Sequence, residues 1–102
     1  MHTLEETIAK IKQKMAFAPP IGAKIKFDFG DQGAVFVDAV QTPPVLSQDE
    51  KGEADLTLSC SLDTFSAILT GTQDPNIAFM TGKLKIKGSM GLALKLNAIL
   101  ED

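Results

Sequence analysis

Apolar residues recur at helical spacing near the start of the chain. They are Leu4, Ile8, Ile11 and Met15, with lysines between them. Thr3 precedes this run and Glu6 follows three residues later, which is the spacing of a capping box. The pattern therefore predicts a first amphipathic helix. Pro19–Pro20 ends it, because proline cannot donate a backbone N–H to a helix.

Three later stretches are predicted to form β-strands. The first and third alternate apolar and polar residues with the period of two that is typical of a strand, and the second carries apolar residues on both faces. The three stretches cover residues 23–29, 34–41 and 54–60. The turn Gly30–Gly33 joins the first two, which predicts a β-hairpin. Val45–Leu46 is expected to form a short edge strand. The residues predicted to point inward from the first and third stretches are Ile25, Phe27, Phe29, Leu56, Leu58 and Cys60.

The second half of the chain is predicted to alternate helices with one strand. Ser61 or Asp63 caps a helix that Gly71 stops. Asp74–Pro75 begins a shorter helix, since aspartate suits the cap and proline the first turn. Residues 83–87 are predicted to form a strand, and Gly88–Ser89 opens the last helix.

The last helix carries more apolar residues than the stripe that one side of a sheet requires. They are Met90, Leu92, Ala93, Leu94, Leu96, Ile99 and Leu100. The excess indicates either an oligomer interface or a cavity whose occupant completes the core. A mixture of methionine, leucine, phenylalanine and alanine suits a cavity, because methionine adapts to irregular partners. From the pattern alone, ordinary core filling is favoured over a cavity.

Composition narrows the function classes. The 102 residues predict one domain covering 1–102, with a modest core. Ten lysines, no arginine and thirteen acidic residues give a net charge of −3, which argues against nucleic-acid binding. A single cysteine cannot form an internal disulfide, so a cytoplasmic location is expected. The N-terminal residues read neither as a signal peptide nor as a membrane span.

No set of residues suited to acid–base or nucleophilic chemistry is found. Asp28, Asp38 and Asp55 stand singly on predicted strands, where Asp38 and Asp55 are expected to make turn or cross-strand hydrogen bonds. Cys60 is interpreted as a small core residue, because His2 near the terminus is the only histidine. We therefore expect a protein that is not an enzyme and has no catalytic residue, metal or cofactor.

Lysines offer one alternative role. Lys83, Lys85 and Lys87 fall on one side of a predicted strand, and Lys24 and Lys26 on the outer side of another. They are candidates for contact with anionic headgroups at a membrane surface, but a solvated sheet face that protects an edge strand is the favoured interpretation.

Five ordered blocks of sequence resemble the sterol carrier protein type 2 family. An AD-led strand begins at Ala54 and precedes a helix ending in Thr70–Gly71. A proline-initiated segment from Pro75 then runs into F-x-x-GKLKI-x-G, and the chain continues as an MGLA-x-KL helix. The stretch AVFVDAV around Val37 is similar to the second strand of the family. The resemblance covers about half of the chain.

This resemblance implies an α+β fold, in which a five-stranded, mostly antiparallel sheet is covered on one face by helices and encloses an apolar tunnel. Members of the family bind sterols, fatty acids, fatty acyl-CoAs or phospholipids and exchange them with membranes without covalent chemistry. Carried over to this sequence, the ligand-binding residues are Leu58, Phe65, Ile68, Leu69, Phe79, Met80, Leu84, Ile86, Met90, Leu94 and Leu96.

Three functional hypotheses follow. The preferred one is a lipid carrier that binds a lipid ligand and touches membranes transiently. Another is an accessory factor that holds a hydrophobic intermediate in lipid or quinone biosynthesis. The third is a dimerisation module without ligand, whose last helix buries its spare apolar side against a second copy. A monomer and a homodimer are both compatible with the sequence.

Overall fold

The computed structural model describes residues 3–16, 21–41, 45–48 and 54–100. Within these ranges the chain forms α1 (Leu4–Ala16), β1 (Lys24–Asp28), β2 (Ala34–Asp38), β3 (Val45–Ser47), β4 (Leu56–Ser59), α2 (Leu62–Leu69), α3 (Pro75–Met80), β5 (Lys85–Gly88) and α4 (Met90–Leu100). A single 3-10 turn, Gly30–Gln32, links β1 to β2. The helix end predicted at Pro19–Pro20 and the histidine at position 2 lie outside the described residues.

The five strands form one sheet in the order β3-β2-β1-β4-β5. The β1–β2, β2–β3 and β4–β5 pairs are antiparallel, which confirms the predicted hairpin and the short edge strand. The central pair, β1 and β4, is parallel, with Ile25 opposite Leu56 and Phe27 opposite Leu58. The predicted mostly antiparallel sheet is therefore confirmed, with one parallel pair at its centre.

Helices cover one face of this sheet. Alternate residues of the strands point towards them and are buried, as their period of two requires. The buried apolar cluster includes Ile11 and Met15 of α1, Ile25 and Phe27 of β1, Val35 and Val37 of β2, Leu56 and Leu58 of β4, Phe65 and Leu69 of α2, and Leu96 of α4. The ring of Phe65 lies 5.1 Å from that of Phe27 and 5.3 Å from that of Phe29, centroid to centroid. These aromatic contacts join α2 to the sheet.

Side-chain caps fix where three helices begin. The Glu6 N–H donates to Thr3 Oγ1 (3.1 Å) at the start of α1. The Thr64 N–H donates to Ser61 Oγ (3.1 Å), so Ser61 caps α2. The Asn76 N–H donates to Asp74 Oδ1 (2.7 Å), and Pro75 occupies the first turn of α3. Each cap satisfies a backbone donor that the first turn of a helix leaves unpaired.

The last strand begins two residues later than the sequence predicts. The backbone N–H groups of Lys83 and Leu84 both donate to the Ala78 carbonyl oxygen, at 2.9 and 3.0 Å. These bonds hold the two residues against the end of α3, so that pairing with β4 starts at Lys85. Leu84 is buried although it lies outside the strand.

Candidate functional site

Most of the candidate ligand-binding residues lie in the interior. Those with an exposed fraction of 4% or less are Leu58, Phe65, Ile68, Leu69, Leu84 and Leu96. All six belong to the one apolar cluster between sheet and helices. Ile86 pairs with Leu58 across β4 and β5, and it packs partly buried against the same cluster. The structure therefore brings seven of the eleven residues together.

The other four candidates lie at the surface. The exposed fractions are 42% for Phe79, 82% for Met80, 50% for Met90 and 62% for Leu94. Two of these residues belong to α3 and two to α4. Met90 and Leu94 are four positions apart, so they share one side of α4. Whether these side chains contact a ligand stays a prediction.

The two helices that carry the exposed candidates differ in how they are anchored. In α3 only Pro75 and Ala78 are buried, and both side chains are small. Among residues 90–99 of α4, Ala93 and Leu96 are buried, and this helix packs against α1 and β5. The anchoring of α3 is therefore shallow.

The interior offers little polar chemistry. Among the described residues, every buried side-chain nitrogen or oxygen has a hydrogen-bond partner. The Thr7 hydroxyl, for example, donates to the Thr3 carbonyl oxygen at 3.0 Å. Such an interior suits hydrocarbon, because an unpaired polar group there would destabilise the fold.

The titratable groups considered from the sequence take structural positions. The Lys24 N–H donates to Asp55 Oδ2 (2.9 Å) and the Val40 N–H to Asp38 Oδ1 (3.2 Å), which confirms the expected cross-strand and turn hydrogen bonds. Burial raises the pKa of the Cys60 thiol to about 12, so that it stays protonated at neutral pH. Within the described ranges, no group of three or more histidine, cysteine, aspartate or glutamate residues is placed to hold a metal ion.

A surface cleft of about 450 Å³ lies at the carboxyl ends of β1 and β4. Its lining comes from the end of β1 and the turn that follows it, the end of β4 and its connection to α2, and the segment after α3 with the first residue of β5. The residues are Asp28, Phe29, Gly30, Asp31, Gln32, Ser59, Cys60, Ser61, Gly82, Lys83 and Lys85. The lining contains two lysines and two aspartates, so its formal charges cancel. Sequence reasoning missed this cleft, since it depends on the parallel register of β1 and β4, which hydrophobic periodicity does not encode.

No helix in the described part of the chain is both long and apolar enough to cross a bilayer.

One sheet with helices on a single face and an apolar interior defines a small α+β domain built around a hydrocarbon-like core. The chain belongs to the SCP-2 sterol transfer family, whose sequence model matches residues 3–101. The resemblance deduced from the five sequence blocks is thereby confirmed.

Relatives of known sequence or structure agree with this assignment. The chain is 38% identical over 94 residues to human sterol carrier protein 2, covering 90% of this chain and 16% of that protein. It is 33% identical over 104 residues to hydroxysteroid dehydrogenase-like protein 2 of Bos taurus, covering 97% of this chain and 25% of that protein. Sterol carrier protein 2 from Yarrowia lipolytica, solved in its apo form, has a TM-score of 0.67 at 26% identity. The match covers 89% of this chain and 73% of that one. The chain thus spans a quarter or less of the length of these two curated relatives.

Proposed function

We propose that this protein binds a lipid by its hydrocarbon part, in an apolar tunnel between the sheet and the helices, and transfers it without covalent chemistry. The ligand classes are fatty acid, fatty acyl-CoA, phospholipid and sterol-like molecules. Membership of the SCP-2 sterol transfer family over residues 3–101 is the observation that carries this proposal. The name of the human relative, sterol carrier protein 2, supports a ligand of this kind.

The arrangement of the apolar residues supports a site between α4 and the sheet. Leu58, Leu84 and Leu96 belong to one buried cluster, and in this proposal Leu58 and Leu84 form part of the floor of the site. Leu94 and Met90 remain exposed on the same helix. A hydrocarbon chain that enters beside α4 would remove both side chains from water, which favours binding.

The energetics favour reversible exchange. Burial of hydrocarbon contributes about 0.8 kcal/mol per methylene, so a sixteen-carbon tail contributes roughly 10 kcal/mol before ordering costs are subtracted. A bilayer offers the same tail a similar gain. Loading and unloading during brief contact with a membrane surface are then nearly balanced, and no energy source is required.

Uptake of a fluorescent fatty acid in solution tests the site. We expect Leu94→Asp to weaken uptake by about tenfold or more, because it places a carboxylate beside the hydrocarbon. Leu94 is largely exposed in the free protein, so the variant should keep its fold. Ala9→Asp is the matched control, since it adds the same charge to the exposed side of α1.

Two results would contradict the proposal. One is equal uptake by Leu94→Asp and Ala9→Asp when circular dichroism shows both to be folded. The other comes from native mass spectrometry of the purified protein. A co-purifying lipid supports a carrier, whereas a ligand-free dimer that takes up no fatty acid indicates the dimerisation module.

A further inference from the structure

The cleft at the carboxyl ends of β1 and β4 has two walls of opposite charge. Asp28 and Asp31 line one wall, at the end of β1 and in the turn that follows it. Lys83 and Lys85 line the other wall, after α3 and at the start of β5. Charges of a single sign would select an ion of the other sign, whereas equal numbers of both signs favour a ligand that is itself dipolar.

The register of the sheet keeps the two walls apart. Asp28 is the partner of Ser59 across the β1–β4 pair, and Ser59 is the partner of Lys85 across the β4–β5 pair. Two strand spacings therefore separate Asp28 from Lys85, which is about 10 Å at the backbone. Within the described ranges, the side chains of Lys83 and Lys85 form no hydrogen bond or ion pair with an aspartate. The charges of both walls thus remain available to a molecule that lies between them.

Hydrogen bonds within the chain hold two polar groups of the cleft in place. The Gly30 N–H donates to Asp28 Oδ1 (2.9 Å), which leaves Oδ2 of this carboxylate to accept from a ligand. The Leu62 N–H donates to Gln32 Oε1 (3.2 Å), so the Nε2 group of the same amide is left as a donor. Groups that are already positioned lose less conformational freedom when a ligand binds.

The floor of the cleft reaches the apolar interior. Phe29 lines the cleft, is 3% exposed and belongs to the buried cluster, and Cys60 packs partly buried against that cluster. The volume of about 450 Å³ lies within the range of small-ligand sites. A polar group bound in the cleft would therefore have any attached hydrocarbon next to the interior.

We propose that this cleft binds a zwitterion that carries a phosphodiester and a primary ammonium group. Lys83 and Lys85 contact the phosphate oxygens, while the carboxylates of Asp28 and Asp31 accept hydrogen bonds from the ammonium. A quaternary ammonium has no N–H to donate, so it binds more weakly. Two sources share this chemistry: soluble glycerophosphoethanolamine and the headgroup of phosphatidylethanolamine. In the second case the inference rests on the proposed lipid binding and names the residues that hold the head of the lipid.

Titration of delipidated protein with glycerophosphoethanolamine, followed by amide chemical shifts in NMR spectra, tests the cleft directly. We expect the largest shifts around Gly30, Ser61 and Gly82, which line it. Glycerol 3-phosphate lacks the ammonium, ethanolamine lacks the phosphate, and glycerophosphocholine lacks the N–H donors. Each should bind about threefold more weakly, since an exposed charge contact contributes a factor of up to about five.

Charge-removing variants test the two walls separately. Lys85→Gln and Asp31→Asn should each weaken binding of glycerophosphoethanolamine about threefold, and Lys83→Gln combined with Lys85→Gln about tenfold. The matched controls are Lys95→Gln on α4 and Glu5→Gln on α1, which remove exposed charges outside the cleft and should bind as the wild type does. All five positions are exposed, so the variants should keep the fold.

Lipid selection distinguishes the two sources. Delipidated protein is incubated with vesicles that contain equal amounts of phosphatidylethanolamine and diacylglycerol with the same acyl chains, and native mass spectrometry measures the ratio of the two bound lipids. A ratio that falls about tenfold in the double lysine variant and is unchanged in Lys95→Gln assigns the cleft to a headgroup. Binding of glycerophosphoethanolamine with no change in this ratio assigns it to a soluble zwitterion.

Three results would overturn the proposal. One is the absence of both soluble binding and a lipid ratio that depends on the lysines. Another is equal losses in Lys85→Gln and Lys95→Gln. The third is glycerol 3-phosphate that binds as tightly as glycerophosphoethanolamine, which would indicate a site for anions alone. Uptake of a fluorescent fatty acid should persist in the double lysine variant, so failure of the cleft and failure of lipid binding are separately visible.

Discussion

Two glycines lie at the ends of the segment 82–88, which follows α3 and contains β5. Gly82 has φ +81° and follows the last turn of α3, where its N–H donates to the Phe79 carbonyl oxygen at 3.3 Å. Gly88 has φ +118° and ends β5. A Cβ atom at Gly88 would overlap the Asp55 carbonyl oxygen, whereas one at Gly82 would meet nothing within 4 Å. The two glycines of GKLKIKG are therefore required for different reasons.

Alanine substitutions should separate these reasons. Gly82→Ala is expected to lower the free energy of unfolding by roughly 1 kcal/mol, because only the backbone conformation is unfavourable. Gly88→Ala adds a steric overlap with the Asp55 carbonyl oxygen just before β4, so we expect a loss of about 3 kcal/mol or more. Urea unfolding followed by circular dichroism measures both values. Equal losses would show that close packing at Gly88 is unimportant.

At the scale of elements, α3 is the helix with the least apolar anchoring. Its buried residues are Pro75 and Ala78, while α2 buries five residues that include Phe65 and Leu69. The free energy of local opening follows the number of buried contacts that opening breaks. We infer that α3 separates from the core more readily than α2.

Hydrogen exchange measured by mass spectrometry should show this difference. Amides of α3 are expected to exchange at least tenfold faster than those of α2 in the protein without lipid. If hydrocarbon enters beneath this part of the fold, addition of a fatty acid should slow exchange in α3 and α4 more than in β2, which serves as the internal control. Equal protection of α2 and α3 would contradict the shallow anchoring.

Periodicity in the sequence was sufficient to locate the elements but not to assemble them. The alternation in 23–29 and 54–60 predicted β1 and β4 and their buried residues, and the caps at Ser61 and Asp74 followed from local chemistry. The parallel pairing of β1 with β4 could not be predicted, because alternation identifies the inward face of a strand and not its neighbour. The five-stranded sheet and its helix-covered face were expected from the family resemblance, whereas the order of the strands is seen only in the structure.

The candidate site was predictable to a similar extent. Apolar spacing identified Phe65 and Leu69 as inward residues, and both are buried. The same reasoning could not separate Leu94 from Leu96, since α4 is apolar around most of its circumference and the side that meets the sheet depends on tertiary packing. The exposure of Leu94 and the burial of Leu96 therefore emerge only from the structure.

For the whole molecule, lipid binding should appear as increased thermal stability. A ligand present at about one hundred times its Kd stabilises the native state by about 2.7 kcal/mol if it does not bind unfolded chains. For a domain of this size such a gain raises Tm by roughly 10 °C or more. We expect a sixteen-carbon fatty acid to produce this shift in delipidated protein, as measured by differential scanning fluorimetry.

Chain length provides the control. Butyrate has the same carboxylate but little hydrocarbon to bury, so it should leave Tm almost unchanged at the same concentration. Equal shifts with both acids would indicate a general effect of carboxylate ions and count against an apolar site.

The parallel contact at the centre of the sheet also has a kinetic consequence. Ile25 pairs with Leu56, which lies 31 positions later in the chain, whereas β1 and β2 are joined by a short turn. Closing a long loop costs entropy before its contacts form, and a high contact order slows folding. We therefore expect the β1–β2 hairpin to form early in folding and the pairing of β4 with β1 to limit the folding rate. Residues where β1 meets β4 then determine how fast the chain folds.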